Sequence, residues 1–128
     1  MSNDVSSQAQ VEQLRDLLKE ASDYLPDVTV RKMFGCYTFF ARGTIYALVW
    51  LPNRIGLKIP DKDRFEELMA LPGAEPWVMG SSKTRHWVLV PETFHQEKEV
   101  LFEWVERAHR YAIAAGPKPK RARAGRTK

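Results

Sequence analysis

Residues Val30–Ile59 read VRKMFGCYTFFARGTIYALVWLPNRIGLKI. The stretch is dense in β-branched and aromatic residues, which fit a pleated, half-buried surface. Turn signals interrupt it twice, at Arg42-Gly43 and at Pro52-Asn53. It therefore predicts three or four consecutive antiparallel strands, a meander. Within it, Cys36–Ala41 alternates: Tyr37 and Phe39 share one face, and Cys36, Thr38 and Phe40 the other. Arg42-Gly43 suits a tight hairpin with Gly43 at positive φ. Thr44–Leu51 is apolar on both faces, which predicts a central, doubly covered strand. Arg54–Ile59 alternates, with Ile55, Leu57 and Ile59 inward and Arg54, Gly56 and Lys58 toward water. Upstream, Val28–Met33 reads as a strand, and Gly35 as a bend or bulge before the next run.

The flanks supply helices. Val11, Leu14, Leu18, Ala21 and Leu25 recur at spacings of three and four, so a helix is expected from Gln8 to the residues before Pro26. Residues 1–9 read as a flexible polar start. Downstream of the sheet, Asp61 is a natural N-cap for a short helix with Phe65, Leu68 and Met69 inward. Leu71-Pro72-Gly73 ends it. Ala74–Met79 reads as a short strand or an extended loop, Gly80–Arg85 as a polar loop, and Trp87–Val90 as a last strand. A long helix is expected from Thr93 to Ala115, with Thr93 and Gln96 as a capping box and Leu101, Trp104, Val105, Ala108 and Ala112 as its buried stripe. The expected fold class is α+β: an antiparallel meander of five or six strands packed by an N-terminal, a short middle and a long C-terminal helix.

Composition bounds the rest. A chain of 128 residues makes one domain, here 10–115, with enough length for a real core. The lone cysteine excludes an internal disulfide and is compatible with a reducing compartment. No apolar run nears the roughly 20 residues a membrane helix needs. The start, MSNDVSSQAQ, has neither the basic nor the apolar segment of a secretion signal, so a cytoplasmic protein with no membrane partner is expected.

The net charge of +4 is unevenly placed. Residues 116–128 carry Lys118, Lys120, Arg121, Arg123, Arg126 and Lys128 and no acid. The other fourteen basic residues face sixteen acids, which leaves a body near −2. The tail is disordered by composition and would span roughly 43 Å fully extended. Such tails either bind polyanions without sequence choice or merely solubilise.

Chemistry-bearing patterns are sparse. His86, His95, His109 and Cys36 lack the short paired spacings of zinc sites, and no nucleophile elbow or Walker loop occurs. No cofactor, metal or catalytic residue is expected. Ser81, Ser82, Lys83, Thr84 and Arg85 offer donors and charge for an anion, or form a solvated hairpin loop. Trp77 and Trp87 flank them as a ligand wall or as core.

Five motifs carry a family resemblance. Arg31-Lys32-Met33-Phe34-Gly35 opens the sheet and Leu57-Lys58-Ile59 closes a strand. Leu71-Pro72-Gly73-Ala74-Glu75-Pro76 follows, then Gly80 with Trp87-Val88, and Trp104-Val105-Glu106-Arg107-Ala108 in the last helix. In this order they resemble the TfoX/Sxy N-terminal domain across about residues 10–115. A weaker similarity, in Lys83–Trp87, is to the small YjbR-like α+β proteins. The first resemblance implies a stand-alone, non-enzymatic domain accessory to transcription or competence control in bacteria. Its partners would be the transcription machinery or another regulator. The tail adds nucleic acid as an alternative partner, and the Gly80–Arg85 loop a small-ligand or enzyme alternative.

Overall fold

A computed structural model describes residues 3–33, 36–50, 53–79 and 82–115. The expected α+β architecture is what it contains. Helix α1 (Asn3–Ser22) precedes four strands, β1 (Val28–Met33), β2 (Cys36–Ala41), β3 (Thr44–Trp50) and β4 (Arg54–Lys58). Helix α2 (Lys62–Met69), strands β5 (Glu75–Met79) and β6 (Ser82–Leu89), a 3-10 turn (Glu92–His95) and helix α3 (Lys98–Ala115) complete it. All pairings are antiparallel, in the order β1-β2-β3-β4-β6-β5. The first four strands form the expected meander. The last two arrive as a hairpin with β6 inserted beside β4, which puts β5 on the edge. Pro76 lies in β5, where an edge strand tolerates the missing N–H donor.

Local chemistry explains most of these elements. At Arg42-Gly43 both residues take positive φ, 51° and 83°, as a two-residue primed turn requires. Asp61 caps α2: its Oδ1 accepts from the Asp63 and Arg64 amides at 2.9 and 3.2 Å. The three helices bury the stripes read from sequence in one core against Phe39, Ala47, Val49, Ile55, Leu57 and Val88. All three therefore cover the same sheet face. The register of β2 on β3 jumps between Phe39↔Ala47 and Phe40↔Ile45, so Tyr46 is the extra residue of a bulge. The bulge turns both Tyr46 and Ala47 toward the helices, while Leu48 joins a second cluster on the opposite face with Cys36, Trp77, Trp87 and Leu89. Cys36 there behaves as a small hydrophobe: its thiol donates to the Met33 carbonyl at 3.2 Å, and burial pushes its pKa up.

Five expectations change. Helix α1 begins at Asn3 rather than Gln8, so the start is helical where a loose polar segment was expected. Ser82–Arg85 is not a loop but the first half of β6, paired through Val78↔Lys83 and Met79↔Ser82; hairpin pairing overrides polar composition. The last strand thus runs Ser82–Leu89 rather than Trp87–Val90. Helix α3 begins at Lys98 rather than Thr93, because Phe94 is buried by a tight turn with i→i+3 bonds from Gln96 to Thr93 and from Glu97 to Phe94. The outer face of β4 is not wet: Gly56 is buried under Leu48 and Leu89, and a Cβ there would meet Leu48 Cδ1 at 3.0 Å. The bend expected at Gly35 lies outside the described residues.

Trp104 lies in the main core with Arg107 stacked 4.5 Å from its ring centroid. Trp104→Ala is expected to cost about 3–5 kcal/mol in a urea melt. A loss under about 1 kcal/mol would contradict the packing of α3.

Candidate functional site

The residues singled out in the sequence fall in three places. The six cations of the tail and Ser81 lie outside the described residues. Ser82, Lys83, Thr84 and Arg85 lie on β6. Trp77 and Trp87 are 4% and 6% exposed, and with Trp50 they form an edge-to-face row with centroids 5.2 and 5.1 Å apart. Both lie in the second buried cluster.

The surface that stands out is the free edge of β1. This strand pairs with β2 on one side and, among the described residues, with nothing on the other. The Arg42 amide bonds to the Asp27 carbonyl at 3.2 Å, which sets the ladder phase. Antiparallel alternation then gives the bonds of Thr29, Arg31 and Met33 to β2 and turns the amides of Val28, Val30 and Lys32 to the open side. Thr29, Arg31 and Lys32 are exposed. Arg31 lies over Phe40, 5.5 Å from the centroid, and Lys32 over Tyr37 at 5.1 Å. Arg15 of α1 covers the same Tyr37 ring at 5.0 Å and bonds to its hydroxyl at 3.3 Å. The cations are thus held on aromatic faces at the edge.

Beside this edge a groove of about 460 Å³ runs between α1 and β1. Leu25, Val28, Val30 and Phe39 form its apolar part, and Lys19, Ser22, Asp23 and Asp27 complete its lining, Asp27 paired with Arg42 at 2.8 Å. The strand itself, VTVRKM, carries two cations and no acid. The site therefore combines unpaired main-chain groups, a row of apolar positions and fixed positive charge. Sequence reading passed over it because edge status depends on strand order, which no local pattern encodes.

Gly73 and Glu75 of the third motif meet Arg54 of β4. Arg54, whose side chain is 14% exposed, reaches the Glu75 carboxylate at 2.8 Å. Its Nη2 donates to the carbonyls of Gly73, Leu89 and Val90 at 2.9, 3.1 and 3.0 Å. Gly73, in the Leu71-Pro72-Gly73 turn, has φ of 91° and packs against Pro91, so glycine is required there. One guanidinium thus ties β4, the turn before β5 and the end of β6. It also helps lower the pKa of His95, whose main cause is burial.

An antiparallel six-stranded sheet with three helices on one face and an edge strand carrying two cations defines a small α+β domain. The family model for the TfoX N-terminal domain matches residues 17–112. The chain belongs to that family. A search of curated proteins gave no match. No helix among the described residues is long and apolar enough to cross a membrane.

Proposed function

We propose that this TfoX N-terminal-like domain is non-enzymatic and acts through protein contacts, as an accessory in transcription or competence control. The observation that carries this reading is the open β1 edge with its flanking groove. Such an edge binds an extended segment by adding a strand: main-chain bonds supply affinity, and alternate side chains supply choice. The segment that fits alternates apolar residues, which enter the groove over Val28 and Val30, with acidic ones, which meet Arg31. Electrostatic complementarity of this kind speeds encounter and rejects basic partners.

The test is affinity capture on the native chain and two variants, followed by amide exchange on the complex. Val30→Pro removes an outward amide without breaking a bond to β2. Arg31→Glu reverses the edge charge. Both are expected to lose the captured partner while melting cooperatively. Retention of the same partner by both variants would contradict the reading.

The charge of the tail supports a second reading, nucleic-acid binding. Six cations neutralise at most six phosphates, so log K against log salt should have a slope no steeper than about −5. Binding should show negligible sequence preference and vanish without residues 116–128. Sequence-selective binding by a chain lacking those residues would contradict this second reading.

A further inference from the structure

A groove of about 510 Å³ lies between α1 and the segment that joins the 3-10 turn to α3, and it shares no lining residue with the groove beside β1. That volume is within the range of ordinary small-molecule sites. Leu14, which is buried, and Leu17, which is half-buried, form its apolar part. The chain has six asparagines and glutamines: Asn3, Gln8, Gln10, Gln13, Asn53 and Gln96. Four of them line this groove, Gln10 and Gln13 from α1, Asn53 from the turn into β4, and Gln96 from the end of the 3-10 turn. The three glutamines are exposed and Asn53 is half-buried. None of these four carboxamides has a hydrogen-bond partner among the described residues. Gln8, outside the groove, reaches Glu12 at 3.4 Å. The charged groups of the lining are already paired, Lys98 with Glu20 at 3.2 Å and Asp16 with Arg15 at 3.0 Å. His95 also lines the groove, and burial lowers its pKa, so it is uncharged at neutral pH.

We propose that this groove binds a neutral carbohydrate, a hexose or a hexose disaccharide. The uncommitted polar groups are all uncharged, so an anion or a cation finds no counter-charge that is not already paired. A carboxamide offers one acceptor oxygen and two donor hydrogens, and each sugar hydroxyl both donates and accepts. Four carboxamides from three segments of the chain therefore match a ring of hydroxyls. The two leucines give the C–H face of the ring an apolar surface from which water is displaced. Because the glutamines are exposed, hydration competes with each of these hydrogen bonds, and the net gain per bond is small.

The experiment is an NMR titration of the full 128-residue chain with glucose, maltose and sorbitol in turn, read on the side-chain NH₂ signals of its six asparagines and glutamines. Glucose and maltose are expected to give saturable shifts at Gln10, Gln13, Asn53 and Gln96, with Kd of about 1–10 mM, and to leave Gln8 in place. Sorbitol carries the hydroxyls on a flexible chain that must be ordered and has no ring to lie on the leucines, so it should bind about tenfold more weakly. A variant carrying both Gln13→Ala and Gln96→Ala, at exposed positions, should weaken the sugars about tenfold with an unchanged melt, and Gln8→Ala should not weaken them. The comparison of the three probes on the unaltered chain needs no variant to fold. The proposal is overturned by an absence of saturable shifts with both sugars up to about 100 mM, by sorbitol binding as tightly as the sugars, by shifts that spare the four groove amides, or by unchanged binding in the double variant. None of these outcomes bears on the β1 edge.

Discussion

Tyr46→Ala is expected to remove most of the stability of the domain. Tyr46 is 0% exposed and sits at the bulge in β3, turned into the main core. Its ring meets Phe39 and His109 edge-on, with centroids 6.3 and 5.4 Å away. Its hydroxyl shares a 2.6 Å hydrogen bond with that of Ser22, which is also buried. His109 in turn bonds through Nε2 to the Pro26 carbonyl at 2.7 Å. The ring thus joins α1, β3, α3 and the chain leaving α1. Deleting a large buried aromatic costs about 3–5 kcal/mol, and the orphaned Ser22 hydroxyl adds about 1–3. Domains of this size have about 5–15 in total. Tyr46→Phe keeps the packing and should lose only the hydroxyl share. A urea-melt loss under about 1 kcal/mol for the alanine variant would contradict this account of the core.

The same residue makes a prediction about pH. Burial pushes the Tyr46 phenol up to about 12, and the Ser22 bond offsets this only in part. The phenol of the unfolded chain ionises near 10. Between these values the unfolded state releases a proton that the folded state keeps. Stability from this group is therefore whole below about pH 10 and falls through the window to 12, by roughly 2–3 kcal/mol. In Tyr46→Phe that part of the alkaline loss should disappear.

Arg54→Ala should also have a large effect, about 3 kcal/mol or more. The guanidinium serves three backbone carbonyls and one carboxylate from a largely buried position. Its removal strands the carbonyls of Gly73, Leu89 and Val90, and a stranded buried acceptor costs about 1–3 kcal/mol. Water reaching an opened turn would return part of that. Arg54→Lys keeps the charge, but an ammonium lacks the planar fork that spans these acceptors, so it should recover less than half of the loss. Thermal melts of the two variants side by side check this. Equal stability of Arg54→Lys and the native chain would show that charge alone matters.

The helices and the meander were legible because each rests on short-range chemistry. The spacing of Leu14, Leu18 and Ala21 marks one face of a helix, and Arg42-Gly43 supplies the positive φ values that a two-residue hairpin needs. What escaped the sequence is non-local. Ser82–Arg85 is polar, and only pairing with β5 makes it strand. Arg54 looked like an outward residue of an alternating strand, because its acceptors lie 19 to 36 residues further along the chain. The bulge at Tyr46 reverses the facing of β3 part-way, which strict alternation does not foresee. The resemblance motifs pointed to the right family, yet the roles of their residues emerged only from the fold. Arg31 and Lys32 stand on the edge strand, whereas Gly73, Trp104 and Val105 hold the body together.

Amide exchange across Val28–Met33, in the free chain and in the complex captured from its native cells, tests the proposed function most directly. Addition of a strand to β1 predicts that the outward amides of Val28, Val30 and Lys32 become protected by tenfold or more, on the order of one main-chain hydrogen bond each. The inward amides of Thr29 and Arg31, already bonded to β2, should change far less. Unchanged exchange at all three outward amides, in a complex whose partner is retained, would contradict the edge-strand account.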